Sequence, residues 1–169
     1  MSHVDLRSLR LRSGDELTDA HEVEIAPLEL GGQRYFAVPE AIPAELTVTR
    51  TTDGWLLRLQ FVVRLHGPCM RCLDDAALDE EIDVQEYQAE APRGEEELAS
   101  VYVVDGRVDL SAWSRDSVVL TLPNRILCRP DCAGLCPVCG KNLNREPHRH
   151  EGEEADPRWA ALAELRDQL

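Results

Sequence analysis

The chain has 169 residues, 43% hydrophobic and 30% charged, with 32 acids against 18 bases and a formal charge of −14. That balance excludes a generic phosphate-coating protein, which would be basic, so any nucleic-acid contact has to be local. No stretch approaches the ~20 apolar residues of a membrane span, and Met1–Arg12 has no apolar segment and carries Asp5, so a cytoplasmic protein without a membrane partner is expected.

In chain order, Met1–Asp19 is polar with scattered Leu and reads as a loose arm. From His21 the period shortens. Val23, Ile25 and Leu28 alternate with acids, and Gly31-Gly32 separates them from a β-prone run at Tyr35–Val38, a hairpin signal. Leu46-Thr-Val48 follows Pro43. After Asp53-Gly54, Trp55, Leu57, Leu59, Phe61 and Val63 alternate with more polar neighbours, which is the clearest strand in the sequence. Ala77–Glu90 and Ser100–Val104 supply further strands. Leu73–Leu98 is an acidic belt with eleven acids and one base, Arg93, and Ala91–Glu97 reads as a loop.

The pattern then turns helical. Asp109 or Ser111 can cap a helix through Leu120 that stops before Pro123, and Asp156-Pro157 can open a second helix over Arg158–Leu169. The expected fold is α+β: a mainly antiparallel sheet, a helix, a Cys-rich loop and a C-terminal helix. The corresponding divisions are an arm at 1–20, a β-rich domain at 21–122, a Cys-rich loop at 123–150 and a helix at 151–169.

The cysteines carry the strongest chemical signal. Cys69-Met-Arg-Cys72 is a C-x2-C, and Cys128, Cys132, Cys136 and Cys139 crowd one turn-rich stretch. In a cytoplasmic protein such clusters read as a metal site before a disulfide framework. Two thiolates at this spacing grip one tetrahedral ion and a second pair closes the site, which suits a structural Zn2+. Cys69, Cys72, Cys136 and Cys139 have the better knuckle spacing; Cys128 and Cys132 are the alternative second pair. His148 and His150 can also ligate, but an exposed His-Arg-His reads first as solvated.

Catalytic chemistry has little support. Pro68-Cys69-x-x-Cys72 matches half of a nucleoside-deaminase signature, yet no His-x-Glu accompanies it. Four thiolates leave no open coordination position, and phosphate-binding and nucleophile motifs are absent. A non-enzymatic protein without a small-molecule substrate is expected; a metal-dependent RNA-processing enzyme and a thiol redox sensor are the rivals. Arg125–His150 holds five bases (Arg125, Arg129, Lys141, Arg145 and Arg149) against Asp131 and Glu146. Arg129, Lys141, Arg145 and Arg149 are therefore the candidate RNA or partner contacts.

Cys69-Met-Arg-Cys72-Leu73, Leu122-Pro123 and the run from Cys128 through Cys132-Ala-Gly-Leu-Cys136-Pro-Val-Cys139-Gly140-Lys-Asn-Leu-Asn144 resemble the YceD family, the large ribosomal RNA subunit accumulation proteins. The tail from His148 to Trp159 is similar to its actinobacterial branch. The resemblance implies a role in accumulation of large-subunit rRNA, with no established enzyme activity. The partners it implies are that rRNA or its precursor, a ribosomal protein, or both. Ribosomal protein L32 is one candidate, because its gene neighbours the family's gene in many bacteria.

Overall fold

A computed structural model describes residues 3–90 and 99–150. Nine strands and one helix are found among them: β1 (His3–Asp5), β2 (Glu16–Glu24), β3 (Leu28–Leu30), β4 (Gln33–Ala37), β5 (Ala41–Arg50), β6 (Gly54–Pro68), β7 (Asp75–Ala89), β8 (Val103–Val104), β9 (Arg107–Asp109) and α1 (Leu110–Thr121). All strand pairings are antiparallel. The fold is thus mainly antiparallel β with one helix, and no described helix is long and apolar enough to cross a membrane. The C-terminal helix expected at Arg158–Leu169 and the acidic loop at Ala91–Glu97 lie outside the described residues.

β6 organises the larger sheet. β7 pairs along its whole length, from Gly54↔Ala89 to Pro68↔Asp75. On its other edge β5 takes the first half, from Trp55 to Phe61, and β4 meets Leu65 and His66. Strict alternation puts Leu57, Leu59, Phe61, Val63 and Leu65 into one core with Ile42, Leu46 and Val48 of β5 and Ile82 of β7. The tight β3–β4 turn runs through Gly31 and Gly32, whose φ values of 57° and 76° favour glycine at both positions.

The N-terminal arm is not loose. β1 pairs β9, Leu6 is buried in the main core, and β2 starts at Glu16 and pairs β5 as far as Glu24. The scattered leucines hid this, because a three-residue strand followed by a single 3-10 turn has too few positions to show a period.

α1 starts where Asp109 Oδ1 accepts the Ala112 NH at 3.0 Å. Its buried face carries Leu110, Trp113 and Val118. Ser114 and Ser117 face inward without an orphaned hydroxyl, because each donates to the carbonyl four residues back, Leu110 and Trp113. Leu122 takes the extended conformation that Pro123 demands, and the helix stops. The chain then drops Ile126 into a second, smaller core with Tyr35, Cys69, Cys72, Ala76 and Cys132.

Candidate metal centre

This smaller core builds a four-thiol cluster. Pro68 ends β6, and the chain turns at once: the Cys69 NH donates to the Asp74 carbonyl at 2.7 Å and the Leu73 NH to the Cys69 carbonyl at 3.0 Å. The Met70 NH donates to the Ile126 carbonyl at 2.9 Å, which places the Cys128–Cys132 segment against this turn. The ligand atoms of Cys69, Cys72, Cys128 and Cys132 all lie within 4.8 Å of one another. Cys69 and Cys132 sulfurs are 3.7 Å apart, and those of Cys72 and Cys128 are 3.6 Å apart. Two Zn–S bonds of about 2.3 Å at a tetrahedral angle put sulfurs about 3.8 Å apart, whereas a disulfide needs about 2 Å. All six cysteines are free thiols. The cluster therefore has the dimensions of a metal cage.

Its electrostatics ask for a cation. Burial pushes the Cys69 thiol up, but backbone NH groups of Arg71, Cys72 and Cys128 outweigh it and hold the group at about 6. Cys72 is pushed up to about 12, first by burial and then by the thiols of Cys132, Cys128 and Cys69. Adjacent thiolates repel unless a positive ion sits among them. The outer contacts hold the sulfurs in place: the Arg71 NH points at Cys69 Sγ at 3.4 Å, and Asn144 Nδ2 at Cys132 Sγ at 3.4 Å.

Cys136 and Cys139 are elsewhere. The Leu135 NH donates to the Arg71 carbonyl at 3.1 Å and Leu135 bridges to Asn142, and the thiols of the following knuckle group apart from the four-thiol cluster. Within it the Cys136 NH donates to the Lys141 carbonyl at 2.8 Å and the Gly140 NH to the Cys136 carbonyl at 2.9 Å. Cys136 and Cys139 meet His148 and His150, again with ligand atoms within 4.8 Å. The fold thus joins Cys69 and Cys72 to the alternative pair, Cys128 and Cys132, not to the knuckle that spacing favours. Knuckle spacing sets how one pair grips an ion; it does not say which pairs meet. His148 and His150 are grouped with thiols, where the sequence reads first as a solvated tail.

Of the basic candidates, Lys141 pairs with Glu146 at 2.7 Å, Arg145 with Asp74 at 2.8 Å, and Arg129 with Asp131 at 3.3 Å. Arg149 has no ion pair among the described residues. All four are exposed on the Cys-rich lobe. Arg129 also donates to Asn144 Oδ1 at 2.8 Å, so its guanidinium is fixed by the same side chain that touches Cys132. On the acidic sheet face, Asp83 and Asp79 are held in two-point contacts by Arg58 and Arg64.

The family described as large ribosomal RNA subunit accumulation protein YceD matches residues 57–166, which include all six cysteines and both lobe histidines. The chain belongs to the YceD family. An uncharacterized protein of Mycobacterium tuberculosis is 34% identical over 96% of this chain and 80% of its own length. A YceD relative from Arabidopsis thaliana, a chloroplastic large ribosomal RNA subunit accumulation protein homolog, is 36% identical over 37% of this chain and 19% of its own. A Zea mays homolog of the same name is 42% identical over 24% of this chain and 14% of its own. No solved structure matches the chain significantly. The YceD match supports a role in ribosome biogenesis.

Proposed function

We propose that this YceD protein is a non-enzymatic, zinc-stabilised factor that promotes accumulation of large-subunit rRNA. The observation that carries the reading is the four-thiol cluster, with three of its cysteines buried, within the family-matched segment. Zn2+ fits an all-thiolate tetrahedron, needs no redox partner and is left with no open position for a reacting water. Its role is to weld the β6–β7 turn to the segment after α1, two stretches more than 50 residues apart in sequence, as the Cys72–Cys128 contact illustrates. Metal binding is then folding free energy for the lobe.

The lobe so fixed would present Arg129, Lys141, Arg145 and Arg149 to rRNA or its precursor. The acidic outer face of β7 is suited to a basic ribosomal protein; L32 is one candidate. A hydrolytic site on that face is disfavoured, because Asp79 and Asp83 already spend their oxygens on Arg64 and Arg58.

The test is made in cells lacking the gene. Large-subunit rRNA, measured against small-subunit rRNA, is expected to fall and to be restored by the parent chain but not by Cys72→Ser/Cys132→Ser. An unchanged ratio in the deletion strain would refute the role. Purified protein with added Mg2+ is expected to leave rRNA uncut.

A further inference from the structure

The four-thiol cluster leaves two thiols and two imidazoles of the lobe unexplained. We infer that Cys136, Cys139, His148 and His150 form a second site, holding one zinc-class divalent ion at the surface. The two clusters share no residue, so each can be counted and altered separately.

Several independent features converge here. Four ligand atoms from a 15-residue stretch come within 4.8 Å of one another, on a chain with only five histidines. Gly140, at φ 71°, turns the knuckle back so that its NH reaches the Cys136 carbonyl. His148 is oriented for ligation. Its Nδ1 lies 2.7 Å from the Glu146 carbonyl, which accepts only from a protonated nitrogen. In the neutral, metal-binding ring that puts the proton on Nδ1 and leaves the Nε2 lone pair on the side of Cys139 Sγ, 3.1 Å away. An ion between them would open this contact to about 3.6 Å, from bonds of about 2.3 and 2.05 Å at a tetrahedral angle. His150 packs edge-on to His148 with ring centroids 5.0 Å apart, close enough for the two rings to share one ion.

The donor set identifies the ligand class. Two thiolates and two imidazoles are borderline-soft and tetrahedral, which selects Zn2+ over hard, oxygen-seeking Mg2+ or Ca2+. The two sites differ in charge and access. Zn2+ with four thiolates is a dianion, whereas Zn2+ with two thiolates and two neutral imidazoles is uncharged. The outer ion would therefore cancel the thiolate charge near Lys141, leaving Glu146 as that side chain's ion-pair partner. Of the outer ligands Cys139 and His150 are exposed, His148 is half-buried and only Cys136 is buried, whereas of the inner ligands only Cys128 is exposed, so the outer ion exchanges first.

Native mass spectrometry of full-length protein, purified from zinc-replete cells, tests this. Two zinc ions per chain are expected, one for each cluster, falling to one in His148→Ala/His150→Ala and also in Cys139→Ser. Cadmium substitution of the parent keeps the test independent of the variants: 113Cd NMR should give two resonances, one from an all-sulfur site and one from a mixed sulfur–nitrogen site. A parent chain with only the all-sulfur resonance, or a metal count unchanged in both variants, would overturn the second site. Loss of the all-sulfur resonance alone would instead refute the inner centre and leave this one standing.

Discussion

Asp74 holds Arg145 from 71 positions away: Oδ1 accepts its guanidinium at 2.8 Å while Oδ2 accepts the Asn142 amide at 2.8 Å. One carboxylate in the β6–β7 turn thus clamps the far end of the Cys-rich lobe, and its backbone carbonyl also receives the Cys69 NH. Asp74→Ala should cost about 1 kcal/mol, since the Arg145 end is exposed and solvent-screened. Hydrogen exchange should rise over residues 135–146 before the sheet responds. Equal protection in parent and variant would mean that the metal alone holds the lobe.

The Tyr35 ring packs against Gly67, where a Cβ would collide with it and approach the Arg34 carbonyl at 2.9 Å. The Tyr35 hydroxyl donates to the Pro68 carbonyl at 2.7 Å, one residue before the first cysteine. Gly67→Ala should therefore destabilise by about 1–3 kcal/mol, as overpacking does. In a double-mutant cycle with Tyr35→Ala the two losses should be less than additive, because removing the ring makes room for the methyl. Strict additivity by denaturant unfolding would place the strain elsewhere.

Arg58 and Arg64 donate to Asp83 and Asp79 and hold both carboxyls below the usual carboxylate range. A depressed folded-state pKa contributes stability above the unfolded-state value, about 3.9, and that stability is lost as pH falls through the folded value. Asp79→Asn/Asp83→Asn should lower Tm slightly at pH 7, and the gap to the parent should close as pH falls below the unfolded-state value and through the depressed folded one. Thiol protonation acts on both proteins alike and cancels in the comparison. A gap independent of pH would mean that the pairs contribute through shape, not charge.

Lys141→Gln/Arg145→Gln removes two positive charges from the lobe. Asp74 keeps Asn142, and no like charges are brought together. Metal content should be unchanged, while co-sedimentation with large-subunit precursors should weaken and lose part of its salt dependence. Co-sedimentation equal to the parent's at every salt concentration would move the contact to the acidic sheet face.

Much of the fold was legible where a period is long enough to read. The alternation at Trp55–Val63 marks β6, and Asp109 with Pro123 brackets α1 to within a residue or two. β1 and the start of β2 were not legible, since pairing with distant β9 and β5 decides them. At the candidate site the residue types were plain, but their grouping was not. Which thiols meet depends on Ile126 docking against Met70 and on Leu135 bonding to Arg71. Neither contact leaves a spacing signal. The histidines read as solvated because nothing in His-Arg-His reports the Glu146 carbonyl that orients one ring.

The central claim is that Cys69, Cys72, Cys128 and Cys132 bind zinc and so fix the lobe. The most direct measurement is zinc-edge X-ray absorption on His148→Ala/His150→Ala, which leaves the inner cluster intact. The account predicts a zinc-loaded protein with an all-sulfur shell at about 2.3 Å. A variant without zinc, or with nitrogen or oxygen in the shell, would contradict it.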